Sequence, residues 1–157
     1  MFILNKYTFR EICNIEPQKA NGEIYTYSPQ SRYNNVANKP LHKYGADSFC
    51  KFIIPERCKK LAGIYILLVE NRIVYIGKCG NLASRFNTGY GNISPRNCFV
   101  GGQSTNCKIN KNVLSVAKEN NDIKLFFLEK KLNQSEIEKE LIQKIKPNWN
   151  TQLKFQN

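Results

Sequence analysis

Apolar residues fall into short, separated runs along the second half of the chain, and each run predicts one element. Gly63–Val69 (G-I-Y-I-L-L-V) is apolar and rich in strand formers, which predicts a β-strand. Glu70-Asn71-Arg72 supplies a turn and Ile73–Gly77 (I-V-Y-I-G) a second strand, so the two make a hairpin. Leu82–Phe86 starts a short helix, with Asn81 available as its cap. Thr88–Gln103 holds Gly89, Gly91, Gly101, Gly102 and Pro95 and predicts a loop. Asn106–Glu119 predicts a helix ended by Asn120-Asn121, and Ile123–Leu128 (I-K-L-F-F-L) a third strand. Asn133–Lys146 is the last helix, and Pro147 stops it because proline lacks the N–H that would continue the ladder. The order β-β-α-α-β-α predicts a small α/β domain, a mostly antiparallel three-stranded sheet flanked by helices.

Residues 1 to about 60 follow neither period. Gln18–Gly45 has few aliphatic residues and carries Tyr25, Tyr27, Tyr33 and Tyr44, which reads as loops or short edge strands, not a separate core. Ser48–Pro55 (S-F-C-K-F-I-I-P) reads as one short strand ended by proline. The expected division is an N-terminal extension over 1–60 and the main domain over 61–157.

Charge narrows the choice of partner. The chain carries 24 Lys+Arg against 12 Asp+Glu, a formal +12. An excess of that size favours a polyanion, because neutralising phosphates releases counterions. From Asn71 to Lys118 there is no Asp or Glu, while Arg72, Lys78, Arg85, Arg96, Lys108, Lys111 and Lys118 all fall in that stretch. Apolar residues are interleaved throughout, so it reads as a folded surface lying against phosphate, not a basic tail. No apolar run approaches the roughly 20 residues that span a bilayer.

The six cysteines, Cys13, Cys50, Cys58, Cys79, Cys98 and Cys107, include no Cys-x-x-Cys pair, and His42 is the single histidine. That spacing is poor for zinc. With no secretory signal, reduced thiols in a cytoplasmic protein are the expectation.

The last helix contains an anomaly. At roughly 100° per residue, Ile137, Leu141, Ile145 and Ile142 form one apolar arc. Glu136 and Glu140 lie opposite; Asn133 with Glu136 resembles a capping box, and Glu140 precedes Lys144 by four residues, an expected exposed ion pair. Glu138 falls inside the apolar arc. A carboxylate there is costly without a partner, which leaves an arginine such as Arg85, backbone donors, a metal ion, or escape to solvent at the helix edge.

The hairpin reads G-I-Y at Gly63-Ile64-Tyr65 and Y-I-G at Tyr75-Ile76-Gly77, with nine residues between the tyrosines. Lys78, then Asn81-Leu82, Arg85 and Tyr90 follow, and the last helix reads Glu138-x-x-Leu141-Ile142 before Pro147 and Asn150. Jointly these resemble the GIY-YIG nuclease superfamily over about residues 62–151. One spacing departs from it: Tyr90 lies five positions after Arg85, where the family often has four. Either the turn carries one extra residue, or Tyr90 is not the counterpart.

The resemblance implies a metal-dependent endonuclease hydrolysing DNA phosphodiester bonds. Glu138 would be the protein ligand to Mg²⁺ or Mn²⁺, hard cations that keep several waters and often use one or two carboxylates. Arg85 would hold a phosphate oxygen. Tyr65 would be the general base, which demands a pKa well below the usual value of about 10, lowered by Lys78 or Arg85. Tyr75 and Tyr90 would orient water or phosphate, and Asn150 would steady Glu138.

Selection of DNA is expected from two places. The N-terminal region offers tyrosines with Lys19, Arg32, Lys39 and Lys43; the glycine-rich segment 88–105 and the helix after it offer Arg96, Asn97, Gln103, Asn106, Lys108 and Lys111. Arg, Asn and Gln suit base edges. Seven residues follow Asn150, so no separate DNA-binding region is expected after the nuclease domain, which resembles the small GIY-YIG restriction endonucleases. Cutting both strands then requires a homodimer or two successive events. The alternatives are a structure-specific repair or mobile-element nuclease, and a DNA-binding module without catalysis.

Overall fold

The computed structural model describes residues 1–33 and 38–151. Residues 34–37 of the expected extension and 152–157 at the end of the expected nuclease domain lie outside the described residues. In chain order the strands are β1 (Phe2–Leu4), β2 (Tyr7–Asn14), β3 (Lys19–Ala20), β4 (Glu23–Ile24), β5 (Thr26–Tyr27), β6 (Phe49–Cys50), β7 (Gly63–Val69), β8 (Arg72–Cys79) and β9 (Ile123–Glu129). Five of them form one antiparallel sheet in the order β1-β2-β9-β7-β8. The others pair as two-residue ribbons, β3 with β4 and β5 with β6.

Strand β7 lies between β9 and β8 and alternates strictly. Tyr65 and Leu67 enter one apolar cluster with Leu125 and Phe127, while Ile64, Ile66 and Leu68 enter another with Ile76 and Phe126. Helix α1 (Leu82–Ser84) runs directly into a π-helical turn over Arg85–Tyr90. Helix α2 (Ser104–Lys118) covers the Tyr65 face with Ile109, Val113 and Leu114. Helix α3 (Gln134–Ile145) covers the opposite face with Ile137, Leu141, Ile142 and Ile145. The mixed α/β architecture therefore has helices on both faces. Among the described residues no helix is long and apolar enough to cross a membrane.

The expectation of three strands is corrected to five. Residues 2–14 are not irregular: Asn5, at φ 57°, makes the turn between β1 and β2, and β2 pairs with β9. A bulge between Glu11 and Cys13 hid this strand from pattern reading. The bulge shifts the alternation by one, so Ile12 and Cys13 both meet the α2-side cluster, while Phe9 before it enters the α3-side cluster. Cys50, Phe52, Ile54 and Cys58 share that second cluster with β7 and α2, so the core continues across residue 60.

Helix ends differ in smaller ways. Asn133 is left-handed at φ 61° and makes no side-chain cap bond, so the capping box does not form. The Glu140–Lys144 pair is also replaced. Glu140 accepts from Asn5 Nδ2 at 2.9 Å and Tyr7 Oη at 3.3 Å, and Lys144 donates to Asn5 Oδ1 at 3.2 Å. Both charges thus tie α3 to the β1–β2 turn. Of the expected strand 48–55 only Phe49–Cys50 pairs as strand; Phe52 and Ile54 are held by Gly91 and Asn87 instead.

Candidate active site

The two motif glycines are demanded by close approach. A Cβ on Gly63 would lie 2.0 Å from the Leu128 carbonyl oxygen. A Cβ on Gly77 would lie 2.3 Å from Cζ and Oη of Tyr65, because Tyr65 and Gly77 are cross-strand partners and the phenol lies across the glycine. Strand β8 has one extra residue, Val74, opposite the Leu67/Leu68 step, which brings Tyr75 onto the same face as Tyr65.

Tyr90 reaches these two phenols through the π turn. The Gly91 N–H bonds the Phe86 carbonyl, an i to i+5 bond at 2.7 Å, so the turn takes one residue more than an α-turn. That turn spans the five positions from Arg85 to Tyr90. Tyr90 Oη lies 2.6 Å from Tyr65 Oη and 3.3 Å from Tyr75 Oη. Phe86 stands edge-on to Tyr65 and Tyr90, with ring centroids at 5.2 and 5.3 Å.

Tyr90 is the hub of this trio, since its oxygen meets both others. A negative charge at the hub has two donors to stabilise it; a charge on Tyr65 or Tyr75 has one. All three pKa values are raised, principally by burial. Tyr65 is 1 % exposed, and burial, Tyr90 and Tyr75 all push it up, with Arg85 opposing weakly. The lowered Tyr65 pKa expected from the sequence is therefore corrected: desolvation outweighs the cation. Bonds from Tyr65 and Tyr75 lower Tyr90 against its own burial.

The trio lines a cleft of about 410 Å³ together with Gly77, Lys78, Arg85, Gln103, Asn106 and Glu138. Glu138 comes from the opposite side of the sheet, past the edge strand β8. Its side chain is 23 % exposed, and Lys78 Nζ lies 3.8 Å from its Oε2. Burial raises its pKa, and Lys78 and then Arg85 pull it back. Its ion-pair partner is Lys78, not Arg85; Lys78 also donates to Ser135 Oγ at 2.5 Å. Among the described residues the exposed Arg85 guanidinium has no hydrogen bond or ion pair, and it also lines the neighbouring bays on either side. The first turn of α2 contributes Ser104, Thr105 and Asn106 to the wall, with no acidic residue and no side-chain cap, so its positive end adds to the cleft.

Asn150 does not do what the sequence predicted. Its Oδ1 accepts from the Ile76 N–H at 2.9 Å and its Nδ2 donates to the Ile76 carbonyl at 2.8 Å. It braces β8 between Tyr75 and Gly77 rather than steadying Glu138. Two asparagines that sequence reading passed over act alike. Asn87 brackets Ile54 at 2.7 and 3.1 Å, and Asn110 brackets Cys50 at 3.0 and 2.8 Å. Asn110 also donates to the Tyr90 carbonyl at 2.8 Å, holding the hub residue from behind. A signal existed: Asn106 and Asn110 lie on the apolar arc of α2, as Glu138 does on α3.

The expected DNA-reading set divides. Gln103 and Asn106 line the cleft. Arg96 is exposed on the 3₁₀ turn Pro95–Cys98. Lys108 and Lys111 line none of the three joined bays. Lys108 faces the Tyr44 ring, and Lys111 donates to the Ala46 carbonyl above the Phe49 ring, so both hold the N-terminal segment. The six cysteines are free, and five are buried.

Among the described residues no group of three or more His, Cys, Asp and Glu gathers, so a cage of protein ligands is absent. A single half-buried carboxylate opening on a cleft fits a hard cation that keeps most of its waters. No family model, curated protein or solved structure matches the chain.

Proposed function

We propose that the chain is a metal-dependent DNA endonuclease of the GIY-YIG type, working as a sequence-specific, restriction-type enzyme. The observation that carries this reading is one cleft in which Tyr65 from β7, Tyr75 and Lys78 from β8, Arg85 and Tyr90 from the π turn, and Glu138 from α3 converge. Titratable groups with shifted pKa values gathered in one cleft beside an exposed guanidinium are the mark of a functional site.

Hydrolysis needs an attacking water, stabilised charge on phosphate and help for the leaving oxygen. The water adds to phosphorus, the bond to the 3′-oxygen breaks, and the water's proton leaves to a base. Arg85 holds a non-bridging oxygen, and the positive end of α2 adds to that field. The base is the tyrosine trio after it has lost one proton: Tyr65 takes the water's proton as its own passes along the 2.6 Å contact to the anionic Tyr90. Glu138 would hold Mg²⁺ or Mn²⁺, which supplies charge neutralisation at the phosphate and the leaving oxygen when bound. Lys78 balances Glu138 before the cation arrives.

The test is incubation of the purified protein with long mixed-sequence DNA, with Mg²⁺ and with EDTA. Discrete metal-dependent fragments are expected. Cleavage undiminished in EDTA, or no cleavage with either Mg²⁺ or Mn²⁺, overturns the reading. A smear, with cleavage confined to branched substrates, replaces sequence specificity with structure specificity.

A further inference from the structure

Beside the tyrosine trio the cleft opens into a bay of about 480 Å³ lined by Asn81, Arg85, Asn97, Gln103 and Asn106. Its chemistry is unlike the other end. There, a bay of about 390 Å³ carries the cations Lys78, Arg85 and Lys131 together with Asn133, Gln134 and Glu136. Arg85 is common to both and to the tyrosine cleft. The second bay carries three cations, whereas the first has Arg85 as its one charged residue, set among carboxamides and the hydroxyls of Ser84 and Thr88.

Two of those carboxamides are tied to each other. Asn106 Nδ2 donates to Gln103 Oε1 at 3.0 Å. Asn106 is only 4 % exposed, yet its Oδ1 has no donor among the described residues. Among the described residues that oxygen is not sealed from solvent, and Asn106 lines the bay. Gln103 is exposed, and among the described residues its Nε2 has no acceptor. Flipping both amides exchanges the roles but leaves the same result: the pair offers one N–H and one oxygen side by side.

That pattern discriminates among bases. Adenine presents an acceptor, N7, beside a donor, the N6 amine. Guanine presents two acceptors, cytosine a single donor, and thymine an acceptor with a methyl. We propose that Gln103 and Asn106 together read an adenine, Gln103 donating to N7 and Asn106 accepting from the N6 amine, at the nucleotide next to the phosphate held by Arg85. This rests on the nuclease reading and adds the base and the two side chains that select it.

The test is a two-by-two cycle. Duplexes bound by wild-type protein without divalent metal are selected from a randomised library, and the preferred sequence is resynthesised. Each adenine is replaced in turn by purine, which lacks the N6 amine, or by 7-deazaadenine, which lacks N7. At one position each analogue is expected to weaken wild-type binding about tenfold, the worth of one good base contact. Gln103→Leu, at an exposed position, is expected to lose the 7-deazaadenine penalty, and Asn106→Asp to alter the purine penalty.

Selected sequences with no enriched adenine, or a 7-deazaadenine penalty undiminished in Gln103→Leu, overturn the proposal while leaving metal-dependent cleavage standing. Absence of both DNA binding and cleavage overturns the nuclease reading itself. Misfolding of the Asn106 variant leaves the Gln103 arm decisive.

Discussion

On one face of the sheet, α3 lays Ile137, Leu141, Ile142 and Ile145 against Ile64, Ile66, Leu68 and Ile76. On the other, α2 brings Ile109 and Val113 but also Asn106 and Asn110, and the sheet answers with Tyr65 and Tyr75. The first face is held by burial, which has no direction and tolerates small shifts. The second is also packed by burial, and adds hydrogen bonds whose partners are single atoms. Phenol oxygens must be positioned to a fraction of an ångström to share a proton, and directional bonds do that better than methyl groups. The chemistry is expected on the directional face, with Glu138 the one residue of α3 that crosses to it. Loss of that crossing is the sharpest test. Glu138→Ala is expected to lower kcat by at least about a thousandfold, the equivalent of several kcal/mol of lost metal stabilisation. DNA binding in a gel-shift titration should persist. Retained cleavage would remove the metal assignment.

Next in size is the hub. Tyr90→Phe removes the atom that both other phenols meet and is expected to slow cleavage at least about a hundredfold. Tyr65→Phe should lose more than about tenfold and Tyr75→Phe less than Tyr65→Phe, since the 3.3 Å contact is the longer one. Because burial raises all three phenols, the base form is scarce at neutral pH. The sign follows: kcat should rise about tenfold per pH unit through the mildly alkaline range. A plateau near neutral pH would place the base on a group other than these tyrosines.

The two faces also differ in how plainly the sequence announces them. Aliphatic periodicity placed α3 and its buried arc, and the same arc singled out Glu138. The apolar, β-rich runs of β7 and β9 were equally clear. What pattern reading missed is all directional. The bulge at Glu11–Cys13 interrupts the period of two, so β2 read as irregular. The brackets made by Asn87, Asn110 and Asn150 join residues 33, 60 and 74 positions apart, and of the three only Asn110 left a periodic signal, its place on the apolar arc of α2. The pKa of Tyr65 was misjudged for the same reason. A nearby cation can be guessed from spacing, but full burial of the phenol depends on tertiary packing.

A matched pair of variants tests whether the faces fail differently. Leu141→Ala on the aliphatic face should cost about 2–5 kcal/mol of stability through the cavity it leaves, with kcat of the folded fraction nearly unchanged. Asn110→Ala leaves the Cys50 N–H and the Cys50 and Tyr90 carbonyls without partners, at about 1–3 kcal/mol. It should also depress kcat, because Tyr90 loses its backbone anchor. Denaturant titrations and rates measured on the same samples decide it. Equal kcat losses in the two variants would erase the distinction between the faces.

Asn150→Ala is the smallest change and the finest test. Asn150 is half-buried at the free edge of β8, where water can replace both of its bonds to Ile76. The stability loss should be about 1 kcal/mol, a fall in Tm of about 2–4 °C. Ile76 stands between Tyr75, which carries a phenol of the trio, and Gly77, against which Tyr65 lies, so a loosened edge blurs both positions at once. The expected result is a kcat lowered about three- to tenfold, more than the modest stability change would suggest, because small misplacements weigh heavily on catalysis. Asn150→Asp keeps the acceptor for the Ile76 N–H and should recover part of the rate. If both variants keep wild-type kcat while Tm falls, Asn150 protects the sheet edge alone, and the precision of the trio rests on Asn110 and the π turn.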